Sequence, residues 1–517
     1  MDWAKYTDEG WYGDAAIRHF QRGHWYVPGD FNPAAALPIW PLLEAALFRF
    51  TGVSLKAARA LTVGIFGLIL LSTYLLLRRS ERISPLITNP ATISVAPAIA
   101  VLLLAVSPFC YAFTRIAILE PLLVLLTLLA LLTASFITQP TQRPASTPQF
   151  IRRALPIIAL GLLVPLMVLA KTTALFLLPA IAWMLWDRSG YQVRDFLRLA
   201  APIMAIAAAI WFAYYQLFVR PHFLSDFQYL FSANAYTGIT PETSIAVLSR
   251  TVAGGLWIGR ILYPLALLAA ASAVFLRPRL LRNPLIPALL LWALGYAAFL
   301  AYHDNLQPRY YLVIAVPLTL LVPLVFETVW TAAPNPSLRP LRRLATVTIV
   351  VVFAVLAITD ARQTLRFVRN PDYTFTRAAA QIRAIISADA GHNPLILSIS
   401  GSNLSLMTGL PSICDDFGTM ELPDRVRTYR PGWFVAWNEV EDDKMDALAP
   451  IYNLHRIASF PAMDDPDRNL LILYRLDPPT PDSEATGTLP RHHRRHPIPR
   501  LLQTSFGQQP SVEQLRH

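Results

Sequence analysis

The chain has 517 residues, of which 54% are hydrophobic and only 15% are charged. Because soluble proteins are on average roughly 25% charged, this composition excludes a water-soluble globule for most of the chain. A formal net charge of +11 is also typical of nucleic-acid-binding proteins, but here the arginines stand in short clusters between apolar runs, as in membrane proteins. We therefore expect an integral membrane protein with no nucleic-acid partner.

The first notable feature is an acidic pair, Asp8-Glu9, in the stretch Asp-Glu-Gly-Trp-Tyr-Gly-Asp that ends at Asp14. A segment Gly23-His-Trp-Tyr-Val-Pro28 follows, and then an apolar stretch from 38 to 50 that predicts a juxtamembrane helix. A carboxylate near a bilayer is costly unless it is solvated, paired or used in chemistry. The pair is therefore a candidate site, and a solvated pair in a loop is the alternative.

Ten apolar runs are long enough, or nearly so, to cross a bilayer, which takes about 20 helical residues. They lie near 57–77, 92–110, 119–137, 155–170, 173–186, 197–218, 255–276, 284–302, 310–330 and 344–360. The stretch 155–186 is interrupted only by Lys171. We interpret it as two short spans that meet at the lysine, with one long helix as the alternative.

The loops between these runs differ in charge. Alternate loops carry three arginines each, beginning with Arg78, Arg79 and Arg82, whereas the opposite loops carry few basic residues. This bias predicts that the arginine-rich loops are cytoplasmic. The acidic pair then lies on the other face, and because nothing apolar precedes it we expect the sequence to begin after a first helix, with a translocated tail as the alternative.

The same layout brings several polar motifs to the extracytoplasmic face. They are Arg115-Ile-Ala-Ile-Leu-Glu120-Pro, Leu169-Ala-Lys171, the loop 219–253, and His303-Asp304 followed by Pro308-Arg309-Tyr310. Polar groups that meet at one membrane surface are what an active site at the membrane–water boundary requires. Within the loop, we expect His222 and Asp226 to be solvated, with a lid over the substrate as the alternative.

The order of these motifs over roughly residues 6–360, together with Gly52-Val-Ser-Leu-Lys-Ala-Ala-Arg59, resembles the GT-C glycosyltransferases of family 39. That group includes the protein O-mannosyltransferases and the lipid A aminoarabinose transferases. The chain departs from this pattern in two ways: Ala35-Ala36 stands where the aminoarabinose transferases have Glu-Lys, and Glu120 stands where Asp is usual. The first departure puts the aminoarabinose donor in doubt.

The resemblance implies an all-α polytopic membrane domain of GT-C type, and the segments after residue 360 predict a small α/β domain that follows it. It also implies an inverting transfer from a polyprenyl-phosphate-linked sugar donor to a hydroxyl of a lipid, glycan or protein acceptor, next to membrane lipids of a bacterial inner membrane. No metal-ligand set is assigned, and a divalent cation is left open. A polytopic transporter, or a lipid-linked saccharide ligase or polymerase, remains as the alternative function.

Such a transfer needs a base for the acceptor proton and cations for the phosphate leaving group. We assign Asp8 as the base and Glu9 as a residue that shapes the site or binds a cation. The expected phosphate contacts are Lys171, Arg309 and Arg115, and the expected supporting residues are Glu120, Tyr12, His303 and Asp304. The alternatives are a structural Arg115–Glu120 ion pair, a snorkelling Lys171 and a loop charge at Arg309.

The character of the chain changes after residue 360. We divide it into a loop and juxtamembrane helix (1–56), the membrane domain (57–360), an extracytoplasmic α/β domain (361–476) and a disordered basic tail (477–517). Within the α/β domain, strands are predicted near 394–400, 432–437 and 469–475, and helices near 374–388, 402–408 and 440–449.

Overall fold

The computed structural model describes residues 8–83, 94–137, 147–233, 241–303, 307–331, 339–370, 374–462 and 469–479. Asp304 and the tail from 480 lie outside the described residues, as does the side chain of His303. The first part of the chain is helical. Its helices are α1 (Glu9–Arg22), α2 (Ile39–Thr51), α3 (Leu55–Ile83), α4 (Ala96–Val106), α5 (Pro108–Thr114), α6 (Leu119–Ser135), α7 (Thr147–Ala170), α8 (Leu178–Arg188), α9 (Val193–Tyr214), α10 (Leu224–Ala233), α11 (Pro241–Gly254), α12 (Leu262–Ala271), α13 (Leu285–His303), α14 (Leu312–Thr331) and α15 (Arg339–Arg369).

Within the described ranges, five helical stretches are long and apolar enough to cross a membrane, and a sixth is added if α4 and α5, bent by 65°, count as one span. The five begin at Leu55, Val193, Leu285, Pro308 and Val347. Shorter apolar helices occupy other predicted runs, including α6 and the second half of α7. The protein is thus a multi-pass membrane protein in which α14, packed against α4, α6, α12 and α13, is the most enclosed span.

The predicted break at Lys171 is confirmed. Helix α7 ends at Ala170, Lys171 is extended (φ −159°, ψ 123°), and a 3₁₀ turn from Thr172 to Leu177 leads into α8. Lys171 is the extended residue that joins the end of α7 to this turn. Its side chain lies inside the helix bundle, and the residue is only 7% exposed.

The opening segment was expected to be a loop, but residues 9–22 form helix α1. Its two glycines weaken any sequence signal for a helix. They also allow close packing, because a Cβ on Gly10 would meet the backbone of Ser402 and one on Gly13 would meet the carboxyl of Glu44. Helix α1 thus packs between α2 and the C-terminal domain. This packing stabilises a helix that local propensity does not favour.

The C-terminal domain is built on a five-stranded sheet in the order β2-β1-β3-β5-β4. The strands are β1 (Ile396–Leu397), β2 (Ser412–Ile413), β3 (Trp433–Trp437), β4 (Asn453–Pro461) and β5 (Leu470–Asp477). Strands β2, β1 and β3 run parallel, whereas β5 is antiparallel to both of its neighbours. The helices are α16 (Thr374–Ala388), α17 (Gly401–Thr408), α18 (Leu422–Tyr429) and α19 (Asp442–Leu448).

Both faces of this sheet are covered. One core contains Phe375, Ile382 and Leu471, and the other contains Phe434 and, from the N-terminal segment, Val27. The expected fold class, a helical membrane domain followed by a small α/β domain, is confirmed. The three predicted strands and three predicted helices are present, while β2, β4 and α18 were not foreseen.

Candidate active site

The site is built around the first turn of α1. Glu9 is 2% exposed and receives a bidentate pair of hydrogen bonds from Arg59 of α3, with Nε–Oε1 at 2.9 Å and Nη2–Oε2 at 2.7 Å. The backbone amide of Ala117 also donates to Glu9 Oε1 at 2.8 Å. A planar guanidinium matched to both carboxylate oxygens fixes position as well as charge. Glu9 therefore anchors the start of α1 to helix α3 and to the segment between α5 and α6.

Asp8, the residue before α1, faces a different cation. Its Oδ2 lies 2.6 Å from Nη2 of Arg309, and the hydroxyl of Tyr12 donates to the same oxygen at 3.4 Å. The side chain of Asp8 is 14% exposed and that of Arg309 is 8% exposed. Burial, opposed by the nearby Arg309 guanidinium, raises the pKa of the Tyr12 phenol well above its ordinary value of 10.0. Tyr12 thus stays a neutral hydrogen-bond donor to the carboxylate.

A second carboxylate joins this cluster from α6. Glu120 is fully buried, its Oε1 forms an ion pair with the ammonium of Lys171, and the same oxygen is 3.9 Å from Nε of Arg309. The Lys171 ammonium also lies 4.5 Å from the centre of the Tyr310 ring, within the distance at which a cation is attracted to an aromatic face. Two cations and two carboxylates from α6, the α7–α8 break, the start of α14 and the start of α1 thus form one chain of charges.

Five of the sequence-predicted site residues meet in this cluster: Asp8, Tyr12, Glu120, Lys171 and Arg309. Glu9, next to Asp8 in the chain, pairs with Arg59 instead. Arg115 is half-buried, with its guanidinium 5.4 Å from the ring centre of Tyr111. The alternative of an Arg115–Glu120 ion pair is wrong, because Glu120 pairs with Lys171. The alternatives for the other two cations, a snorkelling Lys171 and a loop charge at Arg309, are also wrong, because both side chains are buried in ion pairs.

The expectation for the outer loop needs correcting at Asp226. His222 is exposed as predicted, but Asp226 is only 1% exposed and accepts hydrogen bonds from the Tyr26 hydroxyl and the Asn32 amide, both at 2.9 Å. It belongs to helix α10, which packs against the short turn Pro33–Ala35. A buried carboxylate that is matched by two donors acts as a structural tie between that helix and the N-terminal segment.

Three residues of the site were not singled out from the sequence. Arg59 and Tyr310 were present in quoted motifs, so their position in those motifs was the available signal. No sequence signal connected Asn403 with the site, because it belongs to the C-terminal domain. In the structure, its side chain accepts a hydrogen bond from the Gly10 amide at 2.7 Å. The first turn of α1 is therefore enclosed by the membrane helices on one side and by the C-terminal domain on the other.

More polar contacts continue along the same interface. Ser402 donates to Asp14 at 2.8 Å, and Arg18 forms ion pairs with Asp14 at 2.8 Å and Asp30 at 2.6 Å. Asp30 in turn accepts from the backbone amide of Cys414 at 3.0 Å. Because every one of these charged groups is nearly fully buried and paired, the interface holds its partners in one register.

Within the described residues, no group of three or more His, Cys, Asp or Glu side chains is placed to hold a metal ion. The anionic groups nearest Asp8 are already matched by cations of the chain, as described above. The site is thus a cluster of balanced charges, with hydrogen-bond donors directed at its carboxylates.

No family model and no curated protein matches the chain. Among solved structures it is similar to ArnT from Cupriavidus metallidurans in the apo state, with a TM-score of 0.49 and 15% identity over 90% of this chain and 93% of that chain. It is also similar to the oligosaccharyltransferase of Archaeoglobus fulgidus in the apo form, with a TM-score of 0.46 and 13% identity over 91% of this chain and 72% of that one. ArnT is a lipid A aminoarabinose transferase, one of the groups named above from the sequence motifs, and at these identities the similarity is one of fold.

Proposed function

We propose that this protein is a membrane glycosyltransferase that moves a sugar from a polyprenyl-phosphate-linked donor to a hydroxyl of a lipid, glycan or protein acceptor. One observation carries the proposal: the Asp8 carboxylate touches Arg309, which lies beside Lys171 and Glu120 in one buried cluster. A base and two phosphate-binding cations are the groups that such a transfer requires, and here they are neighbours.

The charge balance of the cluster explains how a donor would bind. Without a donor, Arg309 is matched by Asp8 and Lys171 is matched by Glu120. Arginine binds phosphate oxygens in a planar, bidentate manner, and lysine binds them as a point charge. A donor phosphate at Arg309 takes the place of Asp8 Oδ2, so that binding of the donor releases the carboxylate for the acceptor hydroxyl.

The chemical step then follows from these positions. The acceptor oxygen forms a bond to the anomeric carbon from the face opposite the phosphate, and its proton passes to Asp8. The bond between the anomeric carbon and the phosphate oxygen breaks, and its electron pair stays on the phosphate, next to Arg309 and Lys171. Attack from the opposite face inverts the anomeric configuration, and the cations stabilise the charge that develops on the leaving group.

The remaining residues have supporting roles in this proposal. Glu9 is a positioning residue, because its oxygens are matched by Arg59 and Ala117. Tyr12 orients Asp8, and Arg115 is proposed as a further phosphate contact at the end of α5. His303 and Asp304 stay predictions. We further propose that the site and the C-terminal domain face the extracytoplasmic side of the inner membrane.

The first prediction tests the base. Asp8→Asn keeps the size of the side chain but removes its proton-accepting charge, and loss of a general base typically lowers the rate by about 10²- to 10⁴-fold. We expect such a loss when transfer of radiolabelled sugar from polyprenyl-phosphate donors is measured with purified protein in lipid. Binding of the donor should be retained, because Lys171 and Arg309 are unchanged.

A matched control is Asp424→Asn, which removes a carboxylate that is 63% exposed on α18 and pairs with Arg427. It should turn over like the wild type. Near-normal transfer by Asp8→Asn would exclude Asp8 as the base. Movement of the labelled donor across the membrane without any transfer would instead favour the transporter.

A further inference from the structure

The first turn of a helix needs a cap. Its first amides have no partner within the helix, and a residue such as Asp at the N-cap usually accepts a hydrogen bond from the second or third amide through its own side chain. Asp8 occupies that position in α1, and the second amide is that of Gly10. By the general rule, the Asp8 carboxylate should bind this amide.

Asp8 does not do so. Its side chain makes no capping hydrogen bond and is directed instead to Arg309 and Tyr12. The Gly10 amide is satisfied by Oδ1 of Asn403, at 2.7 Å, and Asn403 is 2% exposed. The C-terminal domain therefore supplies the helix cap that Asp8 does not supply.

The fit between the two segments depends on Gly10. A Cβ at this position would lie 2.2 Å from the carbonyl carbon of Ser402 and 2.3 Å from the backbone nitrogen of Asn403. Trp11 adds a second tie, since its indole nitrogen donates to the Ile399 carbonyl at 3.1 Å. The backbone of 399–403 is thus held against the first turn of α1 at the distance that the Asn403 cap requires.

We propose that Asn403 is a positioning residue: by capping α1 in place of Asp8, it keeps the Asp8 carboxylate free to face Arg309 and the reacting groups. The inference rests on the proposed function for its kinetic consequence, but the cap itself is independent of it. Without Asn403, the Gly10 amide is left to the acceptor that an N-cap residue normally supplies, the Asp8 carboxylate, which would then turn away from the site. The C-terminal domain thereby contributes to turnover without touching the substrate.

The kinetic test compares three variants of the full-length protein in lipid. Asn403→Ala removes the acceptor, Asn403→Asp keeps an oxygen that the helix dipole favours, and Ser402→Ala removes a neighbouring interface hydrogen bond as a control. Because a cap is typically a modest interaction, we expect Asn403→Ala to lower kcat by about fivefold or more. The KM for the donor should change little, and both other variants should retain most of the wild-type kcat.

A second measurement needs no activity. Hydrogen exchange of the Gly10 amide should stay slow in Asp8→Ala, because Asn403 still caps it, and in Asn403→Ala, because Asp8 replaces the cap. In the double variant, which has neither acceptor, exchange should become fast. Unchanged kcat in Asn403→Ala, or fast exchange in Asp8→Ala alone, would overturn the inference.

The two proposals fail in different ways. If wild-type protein transfers no sugar, or if Asp8→Asn transfers normally, the proposed function is wrong and the exchange measurement still decides the cap. If Asp8→Asn is inactive but Asn403→Ala keeps its kcat, the transferase stands and the positioning role of Asn403 does not.

Discussion

At the residue scale, the central feature is a carboxylate shared by two cations. Glu120 is fully buried, with Lys171 bound to it and Arg309 3.9 Å away. Burying any one of these charges alone would be costly, because desolvation is repaid only by close opposite charges. Each member therefore offsets the desolvation of the others, and the cluster holds two cations in fixed positions.

The second prediction separates the structural role of this pair from its chemical role. Lys171→Met leaves Glu120 without its closest cation and should lower the free energy of unfolding by roughly 3–5 kcal/mol. Adding Glu120→Gln removes the stranded charge, so the double variant should regain most of that stability. Thermal unfolding in detergent measures both.

Transfer activity should not return with stability. The double variant lacks the cation that we assign to the donor phosphate, so its KM for the donor should stay high. A double variant that recovers both stability and normal donor binding would show that Lys171 is only a structural partner of Glu120.

At the element scale, helix α1 is shaped by close approaches at its two glycines. Gly10 lies against the backbone of 402–403, and Gly13 lies against the carboxyl of Glu44, which would be 2.0 Å from an added Cβ. Glu44 is fully buried, and neither of its carboxyl oxygens has a hydrogen-bond partner among the described residues. Burial raises the pKa of the Glu44 carboxyl well above its usual range, which favours its protonated form against α1.

The third prediction compares two glycine substitutions. Gly10→Ala places a methyl group against backbone atoms that cannot move independently of α17, so we expect a loss of both unfolding stability and turnover. Gly67→Ala lies on an exposed part of α3 with nothing within 4 Å, and should be neutral or slightly stabilising because alanine favours helix. Equal stability of the two variants, measured by thermal unfolding, would contradict the close approach.

The sequence predicted the helices and strands better than it predicted which of them pack together. Long apolar membrane runs, the break at Lys171 and short apolar runs such as β3 are local signals, and they were found. Helix α1 was missed because its glycines and polar residues are explained only by packing from both sides, and the two-residue strand β2 is shorter than any pattern can define.

The same reasoning applies to the site. The order of motifs along the spans was enough to suggest that Asp8, Lys171 and Arg309 would meet. Which carboxylate pairs with which cation depends on side-chain geometry of helices far apart in sequence, so the Glu120–Lys171 pair was not foreseen. The role of Asn403 could not be predicted from the sequence, because no local rule connects the start of a helix to a side-chain amide in another domain.

At the scale of the whole molecule, buried acids lie inside the C-terminal domain and at its contact with α1. Burial raises the pKa of Asp14 from 3.8 to about 6, although Arg18 opposes this shift. Burial likewise raises the pKa of Asp415 from 3.8 to about 7, with Lys444 opposing and Asp416 adding to it. The folded protein therefore holds these protons more tightly than the unfolded chain does.

The fourth prediction follows from the sign of those shifts. An acid whose pKa is raised by folding favours the folded state most when it is protonated in both states, below about pH 4, and loses that advantage as the pH rises through the folded-state value. The free energy of unfolding should thus decrease between about pH 4 and 7, and this decrease should be smaller in Asp415→Asn. Unfolding midpoints across this range would measure it.

The exposed Asp424→Asn again serves as the control and should leave the slope of stability against pH unchanged. If Asp415→Asn shows the same slope as the wild type, Asp415 does not carry a raised pKa in the folded protein. The Asp14 contribution would then be tested in the same way with Asp14→Asn.

The cap on α1 also has a consequence for the timing of biosynthesis. Gly10 and Asn403 are 393 positions apart, so the ribosome makes the amide long before it makes its acceptor. At about 5–20 residues per second, roughly 20 to 80 seconds separate the two. The nascent chain carries Asp8, Lys171 and Arg309 before that interval ends, but it does not yet carry Asn403. By the inference above, the Asp8 carboxylate then caps α1 itself and does not face Arg309. The proposed active site is thus a property of the completed polypeptide, and a chain stalled just before residue 400 would hold the charged side chains without the geometry that uses them.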